Sequence, residues 1–260
     1  MSERSPLQIT RHVWKALFLR EATVRLFGTR AAWVWLLVEP LAHLAFLTFL
    51  FAVIRQREIG GIDIVPWLVI GLVGFFTFRR TAAQMSQAID SNRALFTYRQ
   101  VIPFDTVMIR GILEGLIMLA TLFVAATGLW LYGWNVIPDD PLTFIVAMAG
   151  LWLLGAGLGL LVAVVAELAK EVHKIIAIIF LPLYLLSGVI LPLMIVPPQY
   201  RAYLMINPIP HGLESARSAF ASFYHAPPET DLAYLYLWVL GFFVAALLLY
   251  RRFTRKVFAQ

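Results

Sequence analysis

The chain has 260 residues, of which 61% are hydrophobic and only 14% charged, with a mean hydropathy of +0.80. In water such a composition would expose large apolar patches, which excludes an ordinary soluble domain and makes lipid the solvent. A net charge of +6 and a pI near 9.8 raise nucleic acid as a partner, but the basic residues follow the edges of apolar stretches instead. With no cysteine there is no disulfide framework, thiol metal site or cysteine nucleophile.

Residues 5–28 predict an amphipathic helix, with Ser5 as N-cap and Pro6 in the first turn. Apolar Val13, Trp14, Leu17, Val24 and Phe27 interleave with Arg11, Lys15, Arg20 and Arg25. In the cytoplasmic interface its cations would meet anionic headgroups and Trp14 would sit at the acyl boundary. A solvated basic arm is the plainer alternative. No short apolar core with a small-residue cleavage site precedes the first long apolar stretch, so no removable signal peptide is expected.

Six apolar stretches follow: Trp35 to Ile54, Val65 to Ala83, Val107 to Gly133, Leu142 to Ala166, Ile175 to Leu193 and Ala233 to Tyr250. A spanning helix needs about 20 apolar residues, because the hydrocarbon core is about 30 Å thick and offers the backbone no water. The expected fold is all-α integral membrane, one domain over 1–260 with six transmembrane helices. Residues 1–30 form the interfacial helix, 86–103 a cytoplasmic connection and 191–231 an outer segment of short re-entrant helices. With both termini cytoplasmic, 17 of the 21 Lys and Arg residues fall on the cytoplasmic side, and only Arg55, Arg57, Arg201 and Arg217 lie opposite. That bias sets the orientation.

In the first stretch Trp33 and Trp35 mark an aromatic belt, and Glu39-Pro40, followed by His43, predicts a kink or a helix start. Glu39 must face protein or a wet cavity, either as a satisfied group near the helix start or as a functional one. Near the inner end of the second stretch, Arg79 and Arg80 either snorkel to the interface or line an inner mouth that meets an anionic substrate. Adjacent helical positions point about 100° apart, so one pore lined by both is not expected.

The connection Ser91 to Gln100, stopped by Pro103, mixes Leu95, Phe96 and Tyr98 with Arg93 and Arg99, as suits a short helix with exposed anchors or one folded against the membrane. Arg110 and Glu114 stand four residues apart, close enough to pair structurally. Gly155 and Gly159 form a close-packing pattern. Glu167, Lys170, Glu171 and Lys174 make a second, weaker cytoplasmic contact candidate or a paired helix face. No phosphate-loop pattern occurs. From Leu191 to Asp231 seven prolines break the helix, leaving two short helices, about Gln199 to Ile206 and His211 to Tyr224, around a cavity at an external gate.

The amphipathic N-terminal helix and three pieces in this order, Gly28 to Trp33 leading to Glu39-Pro40, Asn92 to Arg99, and Leu186 to Val189 running into Asn207 to His211, resemble the membrane subunit of ABC polysaccharide exporters. That group moves capsular polysaccharide, O-antigen or teichoic acid; the compact size and Tyr98-Arg99-Gln100 are most similar to capsule export. The resemblance implies a homodimer in the bacterial inner membrane with two copies of a cytoplasmic ABC ATPase, which uses the ATP and Mg; this subunit binds no cofactor or metal and has no catalytic site. It implies that Asn92, Arg93, Leu95, Phe96, Tyr98 and Arg99 couple to the ATPase. It further implies a lipid-linked anionic glycan as cargo, periplasmic and outer-membrane export proteins as partners, and no nucleic acid. Trp33, Trp35, Glu39, Arg79, Arg80 and Tyr184 are the candidate path or access residues. A drug or lipid export permease shares this topology. A secondary transporter or channel fits less well, since no matching broken helices occur in both halves. An enzyme on lipid-linked glycans would need an acid-base or metal cluster, and the five histidines are scattered.

Overall fold

The computed structural model describes residues 6–28, 30–54, 58–98 and 100–258; Ser5, Thr29, Arg55, Arg57 and Arg99, named above, lie outside the described residues. Helix α1 (Pro6–Phe27) precedes α2 (Ala32–Ile54), and a hairpin of β1 (Glu58–Ile59) and β2 (Ile62–Asp63) leads into α3 (Ile64–Ser86). A short α4 (Ala88–Ser91) and a 3-10 helix (Arg93–Thr97) join α3 to α5 (Pro103–Leu131). Then come α6 (Pro141–Ala166), α7 (Val172–Leu186), a 3-10 turn (Leu193–Ile195), α8 (Pro198–Leu204), α9 (Pro208–Phe220) and α10 (Leu232–Phe258).

Proline opens α5, α6, α8 and α9, where its missing N–H costs no hydrogen bond. Asp140 caps α6 by accepting from the Thr143 amide at 3.1 Å, and Asn207 caps α9 by accepting from the Ile209 amide at 3.1 Å. The hairpin was not legible in the sequence: Gly60 and Gly61 adopt φ of 58° and 85°, as a two-residue turn requires.

Helix α3 is the axis of the fold, buried along almost its whole length, with Trp67, Leu68 and Phe75 fully enclosed. The close-packing reading of α6 holds in detail. A Cβ at Gly155 would meet the Phe78 carbonyl, and one at Gly159 would meet Ala82 and Met85, so the missing side chains let α6 lie against the α3 backbone. Helix α9 is buried among α3, α6 and α10.

Among the described residues, α3, α5, α6 and the Leu232–Phe253 part of α10 are long and apolar enough to cross a membrane. Helix α2 has 23 residues and starts before Glu39-Pro40, so Pro40 lies inside the helix and does not begin it. The fifth stretch departs from expectation. Helix α7 has 15 residues, about 22 Å at 1.5 Å per residue, and stops at Leu186 because Ser187 is followed by Gly188 at φ 73°. Beyond it the apolar residues up to Leu193 continue without helix as far as Pro192. The two short helices expected before the last span are α8 and α9.

Candidate translocation cleft and the α3–α5 connection

Helices α2, α3 and α7 enclose a cleft of about 230 Å³ lined by Glu39, Pro40, His43, Phe76, Arg79, Arg80, Leu181 and Tyr184. Four of the six candidate path residues therefore meet in one place. Trp33 and Trp35 do not line it; both stand more than half exposed at the start of α2.

The cleft presents aromatic faces and cations together. Phe76 and Tyr184 stack with planes 9° apart, and the Arg79 guanidinium lies 5.2 Å from the Phe76 ring centre. A 2.7 Å hydrogen bond joins His43 Nε2 to the Tyr184 hydroxyl, and the imidazole meets Phe76 edge to face. Both arginines reach this cleft, contrary to the expectation from helix geometry: Arg79 covers Phe76 while Arg80 extends to Glu39 at 3.4 Å and to the Leu36 carbonyl at 3.4 Å. Long stems bridge the 100° between adjacent positions. Such a surface can hold sugar CH faces and anionic groups without fixing either.

Arg80 also begins a chain of charges leading away from the cleft. Its Nε lies 3.6 Å from Glu114 Oε2, and Glu114, fully buried on α5, pairs with Arg25 of α1. One turn earlier on each helix, Glu21 pairs with Arg110 at 2.5 Å, and Arg110 donates to Gln84 and to the Ser91 hydroxyl. The expected Arg110–Glu114 pair is thus replaced by two pairs across the α1–α5 contact, because α1 brings partners to each. Helix α1 is correspondingly less of a headgroup raft than its pattern implied. Arg20 donates to Asn92 Oδ1 at 2.6 Å, Arg25 turns inward, and Trp14 donates to Asp105 at 2.9 Å.

On the 86–103 connection, Asn92 is buried and donates to the Ala88 carbonyl at 2.9 Å, an internal brace. Arg93 spans Asp90 and Glu167 at 2.9 and 2.8 Å, and its hydrogen bond to Asp90 raises its affinity for the proton. Glu167, read in the sequence as part of a contact candidate or of a paired helix face, turns to Arg93 and so ties the α6–α7 connection to this segment. Phe96 is half-buried against the cluster of Met85, Ile89 and Val107. Leu95 is half-buried, and Tyr98 is 66% exposed, the large apolar group most available to a partner. The signal missed in the sequence was the acidic set Glu21, Glu114 and Glu167, each of which finds its cation on another element.

Among the described residues no group of three His, Cys, Asp or Glu side chains could hold a metal ion. The arrangement defines a helical membrane protein with an aromatic and cationic cleft braced to the α3–α5 connection. A family model described as ABC-2 type transporter matches residues 12–221, and the chain belongs to that family. It is 34% identical over 248 residues to polysialic acid transport protein KpsM of Escherichia coli, covering 95% of this chain and 96% of that one. It is 27% identical to the capsule polysaccharide export inner-membrane protein CtrC of Neisseria meningitidis (98% and 96% covered) and 26% identical to BexB, of the same description, from Haemophilus influenzae (84% and 82% covered).

Proposed function

We propose that this protein is the inner-membrane permease subunit of an ATP-driven exporter of capsular polysaccharide, acting on an anionic, lipid-linked chain. The end-to-end similarity to polysialic acid and capsule export proteins carries this reading. A long hydrophilic polymer cannot cross hydrocarbon unaided, and a cleft of stacked rings and paired arginines offers weak contacts along which sugars slide. The subunit itself is non-catalytic.

In this reading α2, α3, α5, α6, α7 and α10 are the six crossings, with both termini cytoplasmic. The short α7 is completed on the outer side by α8 and α9, a re-entrant pair. Two copies assemble with two cytoplasmic ABC ATPases, which use ATP and Mg, and periplasmic and outer-membrane proteins carry the polymer onward. Tyr98 and Leu95, with Arg99, contact the ATPase, while Asn92, Arg93 and Phe96 hold that segment in shape. Closure of the ATPases would then be felt at the cleft through Arg20, Arg25, Glu114 and Arg80.

Deleting the gene in its native host should abolish surface display of the acidic polysaccharide while polymer accumulates inside, and the wild-type chain should restore it. Tyr98→Asp with Leu95→Asp should insert normally yet fail both to restore display and to co-purify with the ATPase. Undiminished surface polysaccharide in the deletion strain would overturn the function; undiminished co-purification would overturn only the coupling assignment.

A further inference from the structure

A second concavity lies between α5 and α6. Helices α5 and α6 both press on α3 but barely on each other, leaving a chamber of about 360 Å³ lined by Ile112, Leu116, Leu119, Phe144 and Trp152 among other apolar residues. It offers no free polar group at its floor. The Thr77 hydroxyl donates to the Val73 carbonyl at 2.7 Å, and the Trp152 indole donates to the Gly111 carbonyl at 3.0 Å. From Ile112 to Leu122 the α5 wall rises about 15 Å, half of the roughly 30 Å hydrocarbon thickness and thus the depth of one leaflet.

Ile112 also lines a second, more open hollow of about 630 Å³, whose other walls are Ile109 and, from α1, Thr10, Arg11, Trp14, Lys15 and Phe18. The apolar chamber and this cationic hollow therefore meet at Ile112. Arg20 and Arg25 are satisfied by protein acceptors, whereas among the described residues Arg11 and Lys15 form no ion pair and stand exposed. The nearest carboxylate, Asp105, is buried and engaged by the Trp14 indole.

We propose that this cleft binds one anionic glycerophospholipid, its phosphate on Arg11 and Lys15 and one acyl chain in the chamber between α5 and α6. The charge of the hollow selects an anion, and the dry chamber one leaflet deep selects a hydrocarbon chain rather than a free phosphate. The site lies apart from the α2–α3–α7 cleft proposed for the cargo. It lies along the face of α1 and α5, where the Glu21–Arg110 and Arg25–Glu114 pairs join them, so an occupied site would hold α1 against the bundle.

The test is lipid retention by the full-length protein in detergent, read by native mass spectrometry with phosphatidylglycerol against phosphatidylcholine of equal chain length. The wild type should prefer phosphatidylglycerol by roughly tenfold to 30-fold, as expected for two cations near an anionic headgroup. Arg11→Gln with Lys15→Gln should abolish the preference, Arg11→Lys with Lys15→Arg should keep it, and Leu116→Trp, which fills the chamber, should lose both lipids. Leu119→Trp replaces Leu116→Trp if the latter fails to fold. A wild type without preference, a double Gln variant that retains it, or full displacement by millimolar inorganic phosphate would overturn the proposal. So would efficient crosslinking between copies through Leu119→Cys in this cysteine-free chain, since the groove would then be covered by a second copy.

Discussion

Arg217 and Arg80 are both arginines enclosed by the bundle, yet their surroundings differ in every respect. Arg217 is fully buried and held by groups close to it in sequence or fixed in the backbone: Glu214 at 2.7 Å, the Gly188 carbonyl at 2.8 Å and the Val189 carbonyl at 3.2 Å, with the Trp67 ring 3.5 Å beneath it. Glu214 in turn accepts from the Tyr224 hydroxyl at 2.7 Å. Arg80 touches acceptors on two other helices, α2 and α5, at 3.4 to 3.6 Å, beyond the range of a good hydrogen bond. The first cluster closes on itself and locks α9 to α3 and to the end of α7. The second spans three helices loosely and opens into the cleft. Tight, local charge pairing marks the part of the molecule that must stay fixed; slack pairing between helices marks the part that can shift.

His211 belongs with the fixed part. Its Nδ1 accepts from the Asp231 amide at 2.9 Å, so the ring is the tautomer that donates from Nε2 to the Met205 carbonyl at 2.8 Å. Both ring nitrogens are used, which bridges α8, α9 and the start of α10.

The comparison breaks most visibly if Arg217 is removed. Arg217→Met leaves Glu214 buried with only the Tyr224 hydroxyl as partner, and breaking such a pair costs about 3–5 kcal/mol. Thermal unfolding in detergent should show a large loss of stability, and Arg217→Met with Glu214→Gln should regain much of it because no buried charge remains. A single variant that unfolds at the wild-type temperature would contradict the closed-cluster account.

Arg80→Gln should behave differently, because nothing buried is stranded by it: Glu114 keeps Arg25, and Glu39, with a side chain 67% exposed, stands on the wall of the cleft. A stability cost of about 1 kcal/mol is expected, within the range for one imperfect polar contact. Export of an acidic glycan should nevertheless fall several-fold at normal protein levels. Export equal to wild type, measured as surface polysaccharide, would reduce Arg80 to a structural brace.

How much of this was legible before the structure depends on the range of each interaction. Crossing helices show in any window of twenty apolar residues, and Gly155 and Gly159 foretold close approach because their spacing is local to one helix face. The prolines foretold that the segment before the last span breaks into two short helices, but α9 begins at Pro208, three residues before the expected His211, because proline opens a helix as readily as it ends one. What could not be read were pairings set by tertiary approach: Glu21 and Arg25 with α5, Glu167 with Arg93, and the meeting of Arg79, Arg80, Glu39 and Tyr184 across three helices. Tyr184 and Glu39 were candidates by residue type alone; their convergence required the packing of α7 on α3. The end of α7 was overestimated because its apolar composition continues past Gly188, where the backbone turns left-handed and helical geometry is lost.

The smallest effect sharpens the picture of the fixed region. The α5–α6 connection is clipped to the end of α9: the Asp140 amide donates to the Ala219 carbonyl at 2.9 Å, and Asp139 Oδ2 accepts from the Ser222 amide at 2.7 Å. That backbone hydrogen bond stabilises the ionised Asp139 and lowers its carboxyl below the usual carboxylate range. A carboxyl lowered on folding contributes stability above its unfolded value and loses it as pH falls through the folded one. Asp139→Asn should therefore unfold slightly earlier than wild type at pH 7, by about 1–2 °C, since the amide oxygen still accepts from Ser222 but carries no charge. The difference should shrink in acid, where the wild-type carboxyl is protonated and equally neutral. A gap that stays the same as pH falls would mean that the clip does not depend on the Asp139 charge, and that the end of α9 is held by the Asp139 and Asp140 amides on the Phe220 and Ala219 carbonyls.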